Sequence, residues 1–230
     1  MACGAGKTYT ANIIAANEVP DKGSILCLVP SISLVNQFLN DWMADAEKPA
    51  HAICICSDPS ANRRKKGDDD SVIGLALPAT TDSLEIARRY LQNLKLIDQD
   101  GGEGRIVVFS TYQSIDAVKE AQDKISAAMG RRHEFDLIIC DEAHRTTGVV
   151  KPREGHSAFT KIHEKDFIRG KKRLYMTATP RVYADNAKAR AKQSDVELCS
   201  MDDEALYGGE IHHVSFGYAV EKGLLTDYKG

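Results

Sequence analysis

Residues 135–144 read Phe135-Asp136-Leu137-Ile138-Ile139-Cys140-Asp141-Glu142-Ala143-His144, an apolar run that ends on two adjacent carboxylates. A short apolar run without polar alternation is what a parallel strand buried on both faces requires. Four other runs share this character, at 25–29, 52–56, 106–109 and 173–176. Between them lie stretches of helical pattern at 7–17, 33–46, 82–97, 114–129 and 185–192. Strand and helix in alternation predict a doubly wound α/β domain, with a mostly parallel sheet and helices on both faces. Such sheets gather their ligand chemistry outside the carboxyl ends of the strands. Asp141 and Glu142 fall there.

At the head of the first helical stretch stands Gly4-Ala5-Gly6-Lys7-Thr8. Glycines let backbone N–H groups turn inward around phosphates, and the helix behind them offers its positive N-terminal end. Gly4, Ala5, Gly6, Lys7 and Thr8 are therefore the expected nucleotide-binding residues. Lys7 would reach the β- and γ-phosphates of ATP, and the Thr8 hydroxyl would ligate Mg²⁺. The full pattern GxxxxGK[ST] has glycine where this chain has Met1. No strand precedes the loop, so the fold is expected to lack its first strand. For the same reason Gly4 to Thr8 are expected to be poorly ordered or displaced.

Across from this loop, Asp141 would hold Mg²⁺ through water, and Glu142 would orient and deprotonate an attacking water. Lys7, Asp141 and Glu142 are thus the candidate catalytic residues, with Thr8 and Asp141 on the metal. A third strand end carries Met176-Thr177-Ala178-Thr179-Pro180. Its hydroxyls are placed to link the γ-phosphate region to other surfaces through hydrogen bonds. By itself this is an ordinary strand-to-turn junction; the other two segments give it meaning.

The 230 residues suit one α/β domain with insertions. Apolar content of 43% and charged content of 27% are ordinary for a globular protein. A formal net charge of -3 does not announce a nucleic-acid binder, although a local track on an acidic body remains compatible with it. The six cysteines, at 3, 27, 54, 56, 140 and 199, lie mostly in apolar runs and read as buried free thiols. Cys54-Ile55-Cys56 has no second pair to complete a zinc site, and no metal is expected on the cysteines. No run approaches the roughly 20 apolar residues that span a bilayer. No signal-peptide core opens the chain either, so a cytoplasmic protein without a membrane partner is expected. Residues 57–71 read as a solvated loop, with Arg63, Arg64, Lys65 and Lys66 as an alternative DNA contact. Residues 145–170 are polar and aperiodic, and His212-His213 reads as part of a strand.

The three segments GAGKT, DEAH and TATP, in this order and roughly 135 and 35 residues apart, resemble motifs I, II and III of superfamily 2 helicases. Leu28 to Gln37 resembles motif Ia, and Val108 to Ser114 resembles motif Ic; Pro78 to Asp82 is a looser candidate for the motif between them. Within the superfamily the chain looks most like the helicase-like ATPases of type I, type III and type ISP restriction enzymes. The phrases CDEAHRTTG, KKRLYMTATPR and SMDDEALYG carry that likeness. The resemblance implies a RecA-like P-loop NTPase domain that couples ATP hydrolysis, with Mg²⁺, to movement on duplex DNA. It implies residues 1–217 as the first motor domain and 218–230 as the start of a linker toward a second RecA-like domain. That second domain would supply an arginine, so this chain alone is expected to show little or no ATPase activity.

The same resemblance gives His144, Thr177, Ala178 and Thr179 a coupling role between nucleotide site and DNA path. It places Ser31, Ser33, Ser110, Thr111 and Gln113 along the DNA backbone, where hydroxyl and amide groups suit phosphate contacts. Ser31 or Ser33 also suits a helix N-cap. An RNA or DNA-repair helicase with strand separation, and a non-catalytic nucleotide-binding scaffold, are the alternatives.

Overall fold

The computed structural model describes residues 1–2, 4–46, 48–57, 77–150, 157–194 and 196–226. Seven strands run along these residues: β1 (Ser24–Val29), β2 (Ala50–Ile55), β3 (Arg105–Thr111), β4 (Phe135–Cys140), β5 (Gly148–Val150), β6 (Gly170–Tyr175) and β7 (Glu197–Cys199). Five of them form one sheet in the order β2-β3-β1-β4-β6. Every pairing in it is parallel, with Leu26 opposite Val108 on one side and Ile138 on the other. The helices are α1 (Lys7–Glu18), α2 (Ile32–Asp45), α3 (Ser83–Gln99), α4 (Ile115–Met129), α5 (Asp185–Gln193), α6 (Glu204–Tyr207) and α7 (Phe216–Glu221).

Because successive strand residues face opposite ways, one apolar run feeds two cores. Leu26 and Leu28 of β1 pack with Ile86 and Tyr90 of α3 and with Ile115 and Val118 of α4. Ile25, Cys27 and Val29 pack instead with Ala11 and Ala15 of α1 and with Val35, Phe38 and Trp42 of α2. Helices α1 and α2 therefore cover one face and α3 and α4 the other, the three-layer arrangement expected from the sequence. Helix α2 shows how local pattern meets this demand: Ile32, Val35, Phe38, Leu39 and Trp42 recur at three- and four-residue steps and are buried. Burial of each such side chain contributes about 1.5–3 kcal/mol. Helix α3 is started by Asp82, whose carboxylate accepts from the N–H groups of Leu84 and Glu85.

No strand precedes α1 among the described residues. The strand read at 173–176 begins earlier, at Gly170, because its entry carries Lys171 and Lys172. Lys171 pairs with Asp136 at 2.6 Å, and Lys172 pairs with Glu18. Gly170 leaves room there: a Cβ at that position would press on the buried Ile138 side chain of β4, which would have to shift.

Two expectations change. The polar stretch 145–170 contains β5, which pairs antiparallel with β7 to make a second, two-stranded sheet. His212 and His213 lie in no strand and are exposed. Helix α7 spans residues on both sides of position 217, and its Ala219 is fully buried. The basic cluster from Arg63 to Lys66 lies outside the described residues. Cys27, Cys54, Cys140 and Cys199 are free thiols, and these and Cys56 are buried. Among the described residues no helix is long and apolar enough to cross a membrane.

Candidate nucleotide site

The glycine loop has a defined shape. Gly4 (φ 75°) and Gly6 (φ 80°) both take left-handed backbone conformations, which glycine adopts without steric cost. Lys7 then opens α1, and no side chain caps that helix start. Its first N–H groups are left to receive an anion, favoured by the helix dipole. The loop is tied down on its outer side: the Met1 amino group donates to the Thr177 carbonyl at 3.2 Å, and Ala2 N donates to Val214 O at 2.9 Å. These two bonds brace the residues just before Gly4 against segments distant in sequence. Lys7 is near enough that its charge is felt at Asp141.

Asp141 leaves the end of β4 with its own N–H on the Leu28 carbonyl at 2.9 Å. Its side chain is buried, and Oδ1 has no hydrogen-bond partner. Burial pushes its pKa up to about 6 and the Glu142 charge adds to this, while the Glu142 backbone N–H and the Lys7 charge work against it. A buried, orphaned carboxylate oxygen beside a lysine is a hard ligand awaiting a cation. Thr8, on the first turn of α1, offers a hydroxyl oxygen, which is likewise a hard donor.

Glu142 follows in a left-handed conformation, φ 48° and ψ 46°. For a non-glycine residue that costs roughly 1–2 kcal/mol and turns the chain sharply at the strand end. The turn brings His144 over the third segment. His144 Nδ1 lies 3.0 Å from Thr177 Oγ1, 3.5 Å from Thr179 Oγ1 and 3.3 Å from Glu142 Oε2. Thr179 N also donates to Thr177 Oγ1 at 3.1 Å. Backbone bonds brace the two strand ends: Ala143 N to Met176 O and Met176 N to Cys140 O, both 2.9 Å. Thus Glu142, His144, Thr177 and Thr179 converge, while Ala178 contributes backbone between the two threonines.

The expected nucleic-acid residues divide. Ser33 and Gln113 are exposed and Ser31 is half-buried. Ser31 caps α2 by accepting from Leu34 N, and its hydroxyl lies 3.1 Å from that of Ser33. Gln113 donates to the Pro30 carbonyl at 3.1 Å, which joins this cap to the end of β3. Ser110 and Thr111 are corrected: both are buried, and their hydroxyls donate inward, to Thr111 O and Ser114 Oγ at 3.1 Å each. They belong to a central strand covered on both faces, and their hydroxyls are engaged by these neighbours.

Sequence reasoning passed over Tyr112, the residue that follows them. It is fully buried, and its hydroxyl donates to the Asp141 carbonyl at 3.0 Å. Its signal was position alone: an aromatic phenol inside a segment already singled out, at the exit of a strand next to β1.

A model of the family described as the type III restriction enzyme res subunit matches residues 1–182. A curated probable helicase of African swine fever virus is 29% identical over 228 residues, covering 99% of this chain and 20% of the viral protein. Among solved structures, the ATP-dependent type ISP restriction-modification enzyme LlaBIII bound to DNA is 38% identical with a TM-score of 0.72, over 100% of this chain and 14% of that one. A nuclease-deletion mutant of the type ISP enzyme LlaGI, in complex with a DNA substrate mimic, is 36% identical with a TM-score of 0.66, over 97% of this chain and 18% of the other. This chain spans 20% or less of the length of each of these relatives.

Proposed function

Since the chain belongs to the family of the type III restriction enzyme res subunit, and is a RecA-like, helicase-like motor domain related to type ISP restriction-modification enzymes, we propose that it binds and hydrolyses ATP to drive movement along duplex DNA. The observation that carries this reading is the meeting of three strand or loop ends at one place. Lys7 opens an uncapped helix, Asp141 presents an unpartnered buried oxygen, and Glu142 is turned by its backbone toward His144 and Thr177.

In this reading the N–H groups of Gly4 to Thr8 cradle the phosphates, and the Lys7 ammonium neutralises charge at the β/γ bridge. Thr8 and Asp141 would hold Mg²⁺, which when bound supplies charge neutralisation for the transferred phosphoryl group. Glu142 orients a water for in-line attack and accepts its proton. His144, touching Thr177 and Thr179, transmits the state of the γ-phosphate position toward the surface. The exposed rim of Ser31, Ser33 and Gln113 follows the DNA backbone with hydroxyl and amide groups. A second motor domain elsewhere in the full-length protein would complete the site with an arginine.

The test is ATP hydrolysis by the full-length protein with duplex DNA of graded length, beside its Lys7→Ala variant. Hydrolysis that rises with DNA length and drops at least about 100-fold in Lys7→Ala is expected. Displacement of a strand in the same assay would favour helicase action over translocation. Undiminished DNA-stimulated hydrolysis by Lys7→Ala would remove the reading altogether. The 230-residue chain by itself should hydrolyse little, since it lacks the arginine of a second domain.

A further inference from the structure

The stretch Ser200-Met201-Asp202-Asp203-Glu204-Ala205-Leu206-Tyr207-Gly208 stands far in sequence from every residue assigned a role above. In the fold it grips both turns that carry the hydrolytic residues. At its near end, Ser200 Oγ accepts from Tyr183 N at 3.0 Å, and Met201 N donates to Arg181 O at 3.1 Å. Residues 181–183 directly follow Thr177–Pro180, so these bonds fasten the exit of the third segment. At its far end Asp203 starts the single turn of α6 by accepting from Ala205 N at 2.9 Å. That turn delivers Tyr207 to the residues after Glu142.

The contact at Tyr207 has a defined proton arrangement. Thr146 is fully buried, and its hydroxyl donates to the Ala143 carbonyl at 2.8 Å. Its one hydrogen is therefore used, so the Tyr207 hydroxyl, 3.0 Å away, must donate to Thr146 Oγ1. The Thr146 carbonyl, which can only accept, takes a hydrogen bond from His163 Nε2 at 3.1 Å. With that proton on Nε2, His163 Nδ1 is the acceptor for the Tyr175 hydroxyl at 3.3 Å. The three rings pack on one another, with centroids 4.8 Å apart for His163 and Tyr207 and 4.9 Å for Tyr175 and Tyr207. The short turn from Ala143 to Thr146 is thus held from beneath by an ordered chain of donors, while Glu142 and His144 stand on its upper side.

We infer that Ser200–Gly208 is a positioning element for the hydrolytic centre, and that the Tyr207 hydroxyl is its working contact. By fixing Thr146 it fixes the turn, and the turn sets where Glu142 and His144 stand relative to Thr177. The pairing of Gly148 with Cys199, just outside both partners, keeps the two segments in register. Tyr207 touches no reacting atom; it acts through Thr146. The inference rests on the proposed ATPase reading and adds to it a working role for one residue of the SMDDEALYG stretch.

The experiment compares Tyr207→Phe with wild type in the full-length protein. Phenylalanine keeps the ring packing and removes only the donor. DNA-stimulated kcat for ATP should fall about three- to tenfold, the loss expected of one neutral hydrogen bond. KM for ATP and the melting temperature should stay as in wild type. Hydrogen exchange should accelerate at the amides of Ala143, Arg145 and Thr147 and stay slow across β4, which also reports that the variant is folded. Thr146→Val should lower kcat as well, and combining it with Tyr207→Phe should cost no more than Thr146→Val alone. An unchanged kcat, unchanged exchange at 143–147, or a loss shared equally by kcat, KM and melting temperature would each overturn the inference. Failure of the ATPase reading looks different: wild type would then match Lys7→Ala before any change at Tyr207 is made.

Discussion

At the amino end of the five-stranded sheet nearly every buried polar group has a partner; at the carboxyl end the decisive one has none. On the amino side, Ser24 N donates to Asp136 Oδ2 at 2.8 Å, and the Tyr90 hydroxyl lies 2.8 Å from His133 Nε2. Arg169 and Gln122 exchange a reciprocal pair, at 3.0 and 2.8 Å, and the Arg169 guanidinium meets Asp123 at 2.8 Å. His133 Nδ1 is one exception there among the described residues. On the carboxyl side Asp141 Oδ1 is orphaned, and Glu142 sits in a left-handed conformation that its side chain disfavours. Burial without compensation is costly, and proteins keep it where a ligand supplies the missing partner. The two ends therefore differ in kind: one satisfies its polar groups within the sheet, and the other leaves a buried carboxylate oxygen unpartnered beside a strained residue.

Removing the cost should show it. Asp141→Asn takes the charge out of the buried site, and the nucleotide-free protein should become more stable. The sign follows from the raised pKa: the folded state holds a proton better than the unfolded one, so stability is lost as pH rises from 3.8 through about 6. At pH 7 the full shift corresponds to about 3 kcal/mol, an upper bound on the gain. Urea melts of both proteins at pH 7 and pH 5 check it. The gap should narrow at pH 5, where Asp141 itself is largely protonated. Nucleotide with magnesium should narrow it too, since only the carboxylate gains a partner. An Asp141→Asn variant less stable than wild type at pH 7 would break the contrast between the ends.

The amino end should fail in the opposite direction. Burial first, and then the Arg169 charge, lower the His133 pKa from 6.5 to about 4. The unfolded chain therefore takes up a proton that the folded one refuses, and stability is lost as pH falls from 6.5 toward 4. At pH 5 the loss amounts to about 2 kcal/mol. His133→Gln should flatten this part of the pH profile while lowering stability at pH 7, because the Tyr90 contact is altered. An acid profile unchanged by His133→Gln would assign the amino end no such role.

How much of this contrast the sequence disclosed depends on what each segment asks of its residues. Strands β1, β3 and β4 are covered by helices on both faces, so their residues form apolar runs that mark them directly. The start of β6 was missed because it is an edge strand whose exposed lysines pair with Asp136 and Glu18. Strands β5 and β7 are three residues each and pair across a long stretch of chain, so no local period reveals them. In the site, a glycine loop at a helix start pointed to Lys7 and a strand end to Asp141 and Glu142, while His144 came from the family resemblance. These signals could not say which way a hydroxyl turns: Ser33 faces out, while Ser110 and Thr111 close on neighbours inside β3 and its exit. The His133 network is invisible in sequence, since it joins single polar residues from α3, β1 and the approach to β4 that carry no shared pattern.

The smallest effect tests whether one residue of the carboxyl rim serves stability and ligand at once. Ser31 is extended at φ -146° and ψ 163°, accepts from Leu34 N at 3.4 Å, and stands on the rim assigned to DNA. As a cap it should lose about 1 kcal/mol in Ser31→Ala but only a few tenths in Ser31→Gly, because glycine relaxes to solvate the helix start. As a DNA contact it should lose the same in both, since both remove the hydroxyl. Measuring melting temperature and the DNA concentration for half-maximal ATPase in the two variants separates the roles. Unequal stabilities with equally weakened DNA response would show that the rim uses one hydroxyl for both purposes. If the DNA response instead follows the melting temperature, Ser31 is a cap alone, and the rim's contacts fall to Ser33 and Gln113.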